Sequence, residues 1–87
     1  MRFLHSSESL STGDGFRFHL NVSARVMLMD DSNFSAYRNG RSFRYLGGWA
    51  KVSPVDLAAP RSGHWNAVVD LGGRTGSVRA GMQVIRS

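Results

Sequence analysis

From Phe16 to Val22 apolar and polar side chains alternate without interruption. A strand turns successive side chains to opposite faces. Phe16, Phe18, Leu20 and Val22 are therefore predicted to meet a core, while Arg17, His19 and Asn21 meet water. The same period recurs over 64–71, where Trp65, Ala67, Val69 and Leu71 share one face. It recurs again near the end, where Val78, Ala80, Met82 and Val84 lie opposite Arg79 and Gln83. These three segments predict half-buried strands. Val26-Met27-Leu28-Met29 is different, because both of its faces are apolar, and it is predicted to be covered on both sides.

The predicted cover follows directly. Asp31 or Ser32 is suited to cap a short helix, and Asn39-Gly40 supplies a left-handed stop. A helix over 32–39 places Phe34 and Tyr37 on one face, laid over an end of the core. Ser42–Leu46 and Val55–Ala59 predict shorter strands, with Phe43/Tyr45 and Val55/Leu57/Ala59 as inward sets. Gly47-Gly48 predicts a bend or bulge before Trp49. Pro54 predicts an edge strand or a strand start. Residues 60–63 and 72–76 are turns by composition, and an opening strand is expected near Arg2–His5. Short strands at this spacing predict an all-β chain. The expected form is a small antiparallel β-sandwich or barrel of six to eight strands, with one short helix near 32–39, in a single domain spanning 1–87.

Composition narrows the picture. Ten glycines and twelve serines in 87 residues favour turns, and therefore strands over helices. The absence of cysteine removes disulfides and thiolate metal sites, so the fold rests on packing. With no apolar run of signal-peptide or membrane-span length, a cytoplasmic protein with no membrane contact is expected. Net charge is +5, and ten of the eleven basic residues are arginine. Between Asp31 and Asp56 there is no acid, while Arg38, Arg41, Arg44 and Lys51 all fall there. Such an excess points to an anionic partner, or to a solvated face.

The inventory of catalytic groups is poor. No serine lies in a G-x-S-x-G elbow, and His64 and Asp70 stand six residues apart on one strand, roughly 20 Å. A catalytic role for that pair needs a deep polar pocket holding both. His5, His19 and His64 lack metal-ligand spacing, although His5 and His19 can meet if their strands are neighbours. The glycine-rich stretch 71–76 lacks a phosphate-loop lysine and reads as a hairpin turn. No catalytic residue, metal or cofactor is expected. What remains is Asn33 to Trp49, where Phe34, Tyr37, Phe43, Tyr45 and Trp49 interleave with arginines. The candidate binding residues are Arg38, Arg41, Arg44, Tyr45 and Trp49, together with His64. The leading expectation is a non-catalytic interaction module for an acidic protein or small anionic ligand. The alternative is single-stranded nucleic-acid binding through the same surface. Open strand edges add homodimerisation as a further expectation.

Two separated groups of residues carry a resemblance. The first is Leu28-Met29-Asp30-Asp31-Ser32-Asn33-Phe34 with Tyr37-Arg38-Asn39-Gly40-Arg41, Tyr45 and Gly47-Gly48. The second is Ser53-Pro54 with Ser62-Gly63-His64-Trp65 and Val69-Asp70-Leu71-Gly72-Gly73. From about Phe3 to Ile85 the chain resembles a family of small bacterial proteins known as a domain of unknown function, number 1883 of that series. The resemblance implies a compact β-sandwich without known activity. Some members are joined to a TIR-like signalling domain, which implies an accessory or sensing module.

Overall fold

The computed structural model describes residues 2–87. Seven strands and one helix follow in the order β1 (Leu4–Leu10), β2 (Gly15–Leu20), β3 (Ala24–Asp30), α1 (Asp31–Arg38), β4 (Leu46–Ala50), β5 (Val55–Ala58), β6 (Gly63–Asp70) and β7 (Ala80–Ile85). Every pairing is antiparallel. One sheet has the order β1-β6-β3-β4 and the other β5-β2-β7, so the fold is an all-β sandwich.

The alternation in β2 does what its period dictates. Phe16 and Phe18 are fully buried between the sheets with Val26, Leu28, Trp65, Ala67 and Val69. Leu57, Met82 and Val84 close the same core from the smaller sheet. Val22 is a correction: β2 ends at Leu20, and Val22 is 45% exposed in the turn that follows. Val78 likewise precedes β7, although its side chain still packs on the core.

β3 is covered on both faces, as its composition requires. Val26 and Leu28 point between the sheets, while Met27 and Met29 point outward into a second cluster with Val68 and Tyr37. The helix therefore lies across the outer face of the larger sheet, not over an end of the sandwich core. β6 is covered on both faces too, against the half-buried strand expected of it, because the same helix layer overlies Val68 and its polar neighbours Asn66 and Asp70.

The helix starts one residue earlier than the capping pattern suggested. Asp30, not Asp31 or Ser32, is the N-cap, and its Oδ1 accepts from the Asn33 N–H at 2.9 Å. The expected stop is present. Gly40 adopts φ +70°, its N–H bonds to the Tyr37 carbonyl and the Arg41 N–H bonds to the Ala36 carbonyl, a Schellman pair.

The strand expected over Ser42–Leu46 is absent, and β4 begins only at Leu46. Phe43 leans edge-on against Tyr37 at 5.1 Å, drawing the chain onto the helix layer. The Arg44 N–H donates to Asn33 Oδ1 at 2.7 Å instead of to a ladder. Neither Phe43 nor Tyr45 enters the sandwich core. Gly47-Gly48, expected as a bend, lies inside β4 opposite Met27 and Val26. Gly47 holds φ +115°, and a Cβ there would collide with the Val26 carbonyl oxygen.

Candidate functional site

Two polar clusters flank the apolar contact between α1 and the sheet, and together they position the helix. Antiparallel register sets Arg25 of β3 opposite Asp70 of β6. The Asp70 side chain is fully buried and receives four donors. Arg25 Nε reaches Oδ1 at 2.9 Å and Nη2 reaches Oδ2 at 2.6 Å. The Tyr37 hydroxyl donates to Oδ2 at 2.6 Å, and the Gly72 N–H to Oδ1 at 2.9 Å. Burial pushes the Asp70 carboxyl up, but Arg25, Tyr37 and Gly72 outweigh it and hold it below 3.8. Burial and the adjacent carboxylate push the Tyr37 hydroxyl well above its ordinary value, so it stays a donor. The arginine is in turn bracketed by the Phe43 and Tyr45 rings, 5.9 and 5.8 Å from its guanidinium.

The second cluster is built on buried Asn66. Its Nδ2 donates to the Met29 carbonyl at 3.3 Å and to Asp31 Oδ1 at 2.8 Å. Its Oδ1 therefore accepts from His5 Nε2 at 2.9 Å, which assigns the ring proton of His5 to Nε2. The His5 ring stacks on Phe34 at 4.1 Å. Asp31 Oδ1 also accepts from His64 Nδ1 at 2.7 Å. Hydrogen bonds from Asn66 and His64 hold the Asp31 carboxyl below its ordinary value. A row of four side chains, His5–Asn66–Asp31–His64, thus crosses from β1 over β6 to the first turn of α1 and returns to the start of β6.

This row is the floor of an open cleft of about 530 Å³ between β1 and one flank of the helix. Asp31, Phe34, Ser35, Arg38 and Asn39 recur at helical spacing along that flank, and Ser7 of β1 faces them. Arg38 lies over the Phe34 ring at 5.7 Å.

Two of the residues singled out from the sequence, Arg38 and His64, line this one cleft. Arg41 and Arg44 follow Arg38 on the exposed connection from α1 to β4, which the Asn33 side chain ties back to the helix. Tyr45 is 39% exposed beside Arg25. Trp49 belongs to a different neighbourhood: its ring packs under Arg74, 4.2 Å from the guanidinium. His64 and Asp70 do not form a pair, since His64 is bonded to Asp31 and Asp70 lies beneath α1. His5 and His19 stand in different sheets. The row of His5, Asn66 and Asp31 was not foreseen, because outward-facing polar residues on a strand read as solvated until something is known to cover them.

The charge pattern is one-sided. All six carboxylate side chains have a partner: Glu8 and Asp14 on Arg86, Asp30 on Arg61, Asp31 on His64, Asp56 on Arg17 and Asp70 on Arg25. Among the described residues, Arg2, Arg38, Arg41, Arg44, Lys51, Arg74 and Arg79 have no carboxylate within ion-pair distance.

Comparison with known families finds a match over residues 1–87 to the family described as "Domain of unknown function (DUF1883)". The chain belongs to that family. No curated protein and no solved structure matches it. For this DUF1883 domain, then, the chemistry has to be read from its own side chains. Among the described residues no group of three or more histidine or carboxylate side chains is placed to hold a metal ion, and no helix is long and apolar enough to cross a membrane.

Proposed function

We propose that this domain is a non-catalytic interaction module that holds an acidic protein segment or small anion through Arg38, Arg41 and Arg44. The observation carrying this reading is the one-sided charge pattern. Every carboxylate is already engaged within the fold. These three arginines follow one another at three-residue spacing on the helix end and the exposed connection after it, none with an acid in ion-pair distance among the described residues. Planar guanidinium groups recognise carboxylates through paired hydrogen bonds. Arg38 also opens onto the cleft beside α1, whose His64, His5 and Ser7 offer further polar contacts. The cysteine-free composition suits a reducing, cytoplasmic setting.

The test is anisotropy of a fluorescein-labelled oligoglutamate peptide. Binding is expected, and replacing Arg38, Arg41 and Arg44 together with alanine should weaken it at least tenfold while the circular dichroism spectrum is unchanged. Unaltered affinity in the triple variant overturns the reading.

A second reading, single-stranded nucleic-acid binding, rests on the exposed Tyr45 ring, which directly follows Arg44 in the chain. Stacking on it would make a labelled oligonucleotide sensitive to Tyr45→Ala. Three arginine–phosphate contacts would give a log affinity falling with log salt at a slope of about −2. An oligonucleotide that binds more tightly than oligoglutamate, with that slope and that sensitivity, favours the second reading over the first.

A further inference from the structure

A second cleft lies where the start of β1 meets the 71–78 connection between β6 and β7. We propose that it binds a small amphipathic anion: a carboxylate or comparable head group on an apolar body. Its volume, about 700 Å³, falls within the range of small-molecule sites. Phe3, Leu4, Leu71 and Val78 supply half-buried apolar walls. Arg2 and Arg74 supply the charge.

Neither arginine has a carboxylate within ion-pair distance among the described residues. Asp70, the acid that begins this connection, is turned inward to Arg25, Tyr37 and Gly72. Arg74 is held in place before any ligand arrives: its N–H bonds to the Leu71 carbonyl at 3.1 Å, and its guanidinium rests on Trp49. A cation stacked on a ring keeps its hydrogen-bonding edge free for an anion. An apolar wall with cations at the rim selects for a ligand that is apolar at one end and negative at the other. Apolar cations meet repulsion there, and bare inorganic anions leave the wall uncovered. The site shares no residue with Arg38, Arg41 or Arg44, so it stands or falls independently of the function proposed above.

The experiment is isothermal titration calorimetry of the intact chain with sodium decanoate below its micelle concentration. Decyltrimethylammonium and inorganic phosphate serve as controls for sign and for the apolar body. Decanoate is expected to bind, to shift the emission of Trp49, and to exceed both controls at least tenfold in affinity. Arg2→Ala with Arg74→Ala should weaken decanoate at least tenfold. So should Ser77→Glu, which sets a carboxylate at the rim and changes only an exposed side chain. The Arg38, Arg41 and Arg44 triple variant should bind decanoate like the unaltered protein. Equal binding of decanoate and decyltrimethylammonium overturns the proposal, as does an affinity within twofold of the parent in both rim variants.

Discussion

Asp70 is the most constrained ionisable residue in the molecule. It is buried, negatively charged and surrounded by donors from β3, α1 and the connection after β6. Removing its charge leaves Arg25 facing a neutral neighbour in a half-closed setting. Breaking a buried pair from one side costs about 3 kcal/mol or more. For a domain of this size each kcal/mol moves the midpoint by about 4–8 °C. Asp70→Asn should therefore lower the thermal midpoint by at least about 10 °C, and Tyr37→Phe by less, since Arg25 and Gly72 still hold the carboxylate. A midpoint within 2–3 °C of the parent (under about 1 kcal/mol on the same scale) for Asp70→Asn would contradict the role assigned to it. The acid side of the stability profile follows from the same chemistry. Asp14, Asp30, Asp31, Asp56 and Asp70 all titrate below 3.8 when folded. The unfolded chain, whose aspartates titrate near 3.9, thus binds more protons there. The stabilisation from these groups is complete above about pH 5 and is lost as pH falls through the unfolded and then the folded values. Urea midpoints measured from pH 5 down to pH 2 should fall, and stability that rises on acidification would contradict this.

At the level of elements, α1 is the part that makes the cleft, and its start is the sharpest test of how it forms. Asp30→Ala removes the cap and should cost about 1 kcal/mol, whereas Ser32→Ala should be nearly silent in the same denaturation experiment. The reverse order would move the helix start. The sequence made much of this element legible: two apolar faces on Val26–Met29 required a cover, and Asn39-Gly40 marked where it stops. It also made the strand in Gly15–Leu20 plain, because alternation between water and a single core has no other simple cause. It misled at Ser42–Leu46. There Phe43 and Tyr45 imitate strand spacing while serving the helix layer, and the backbone donor of Arg44 is taken by a side chain. Asn66 and Asp70 were unreadable for a related reason. Their period matches a solvent face, and only the helix lying above them turns that face into an interior. Of the candidate site, the sequence pattern picks out Arg38 and His64 but not the cleft they share, and it groups Trp49 with arginines that it does not accompany.

At the level of the whole molecule, the two sheets are joined at one end by the last residues of the chain. The Ser87 N–H donates to Asp14 Oδ1 at 2.9 Å. Arg86 Nη1 reaches Asp14 Oδ2 at 3.2 Å and the Ser9 carbonyl at 3.2 Å. Hydrogen bonds from the Ser87 and Ser11 N–H groups, opposed by partial burial and aided by Arg86, hold the Asp14 carboxyl low. A clasp thus runs from the end of β7, in the smaller sheet, to the end of β1, in the larger. Arg86 also meets Glu8 at 3.5 Å, but both side chains are well exposed, and pairs of that kind contribute little. Asp14→Ala is expected to lower the thermal midpoint clearly and Glu8→Ala hardly at all. Equal effects would mean that the clasp is only surface charge.

β3 and β6 each carry one core on either face. If α1 lifts away, Met27, Met29 and Val68 lose their cover and Asp70 loses the Tyr37 hydroxyl. If the sandwich opens, the helix loses the sheet it rests on. Neither layer has a backing of its own, so the small cluster under the helix is not a detachable part. In hydrogen–deuterium exchange, the central amides of β3 and β6 should form a single slowest class, released only when the whole chain opens. The cleft beside α1 then inherits the rigidity of the innermost strands, although it lies on the outside of the molecule.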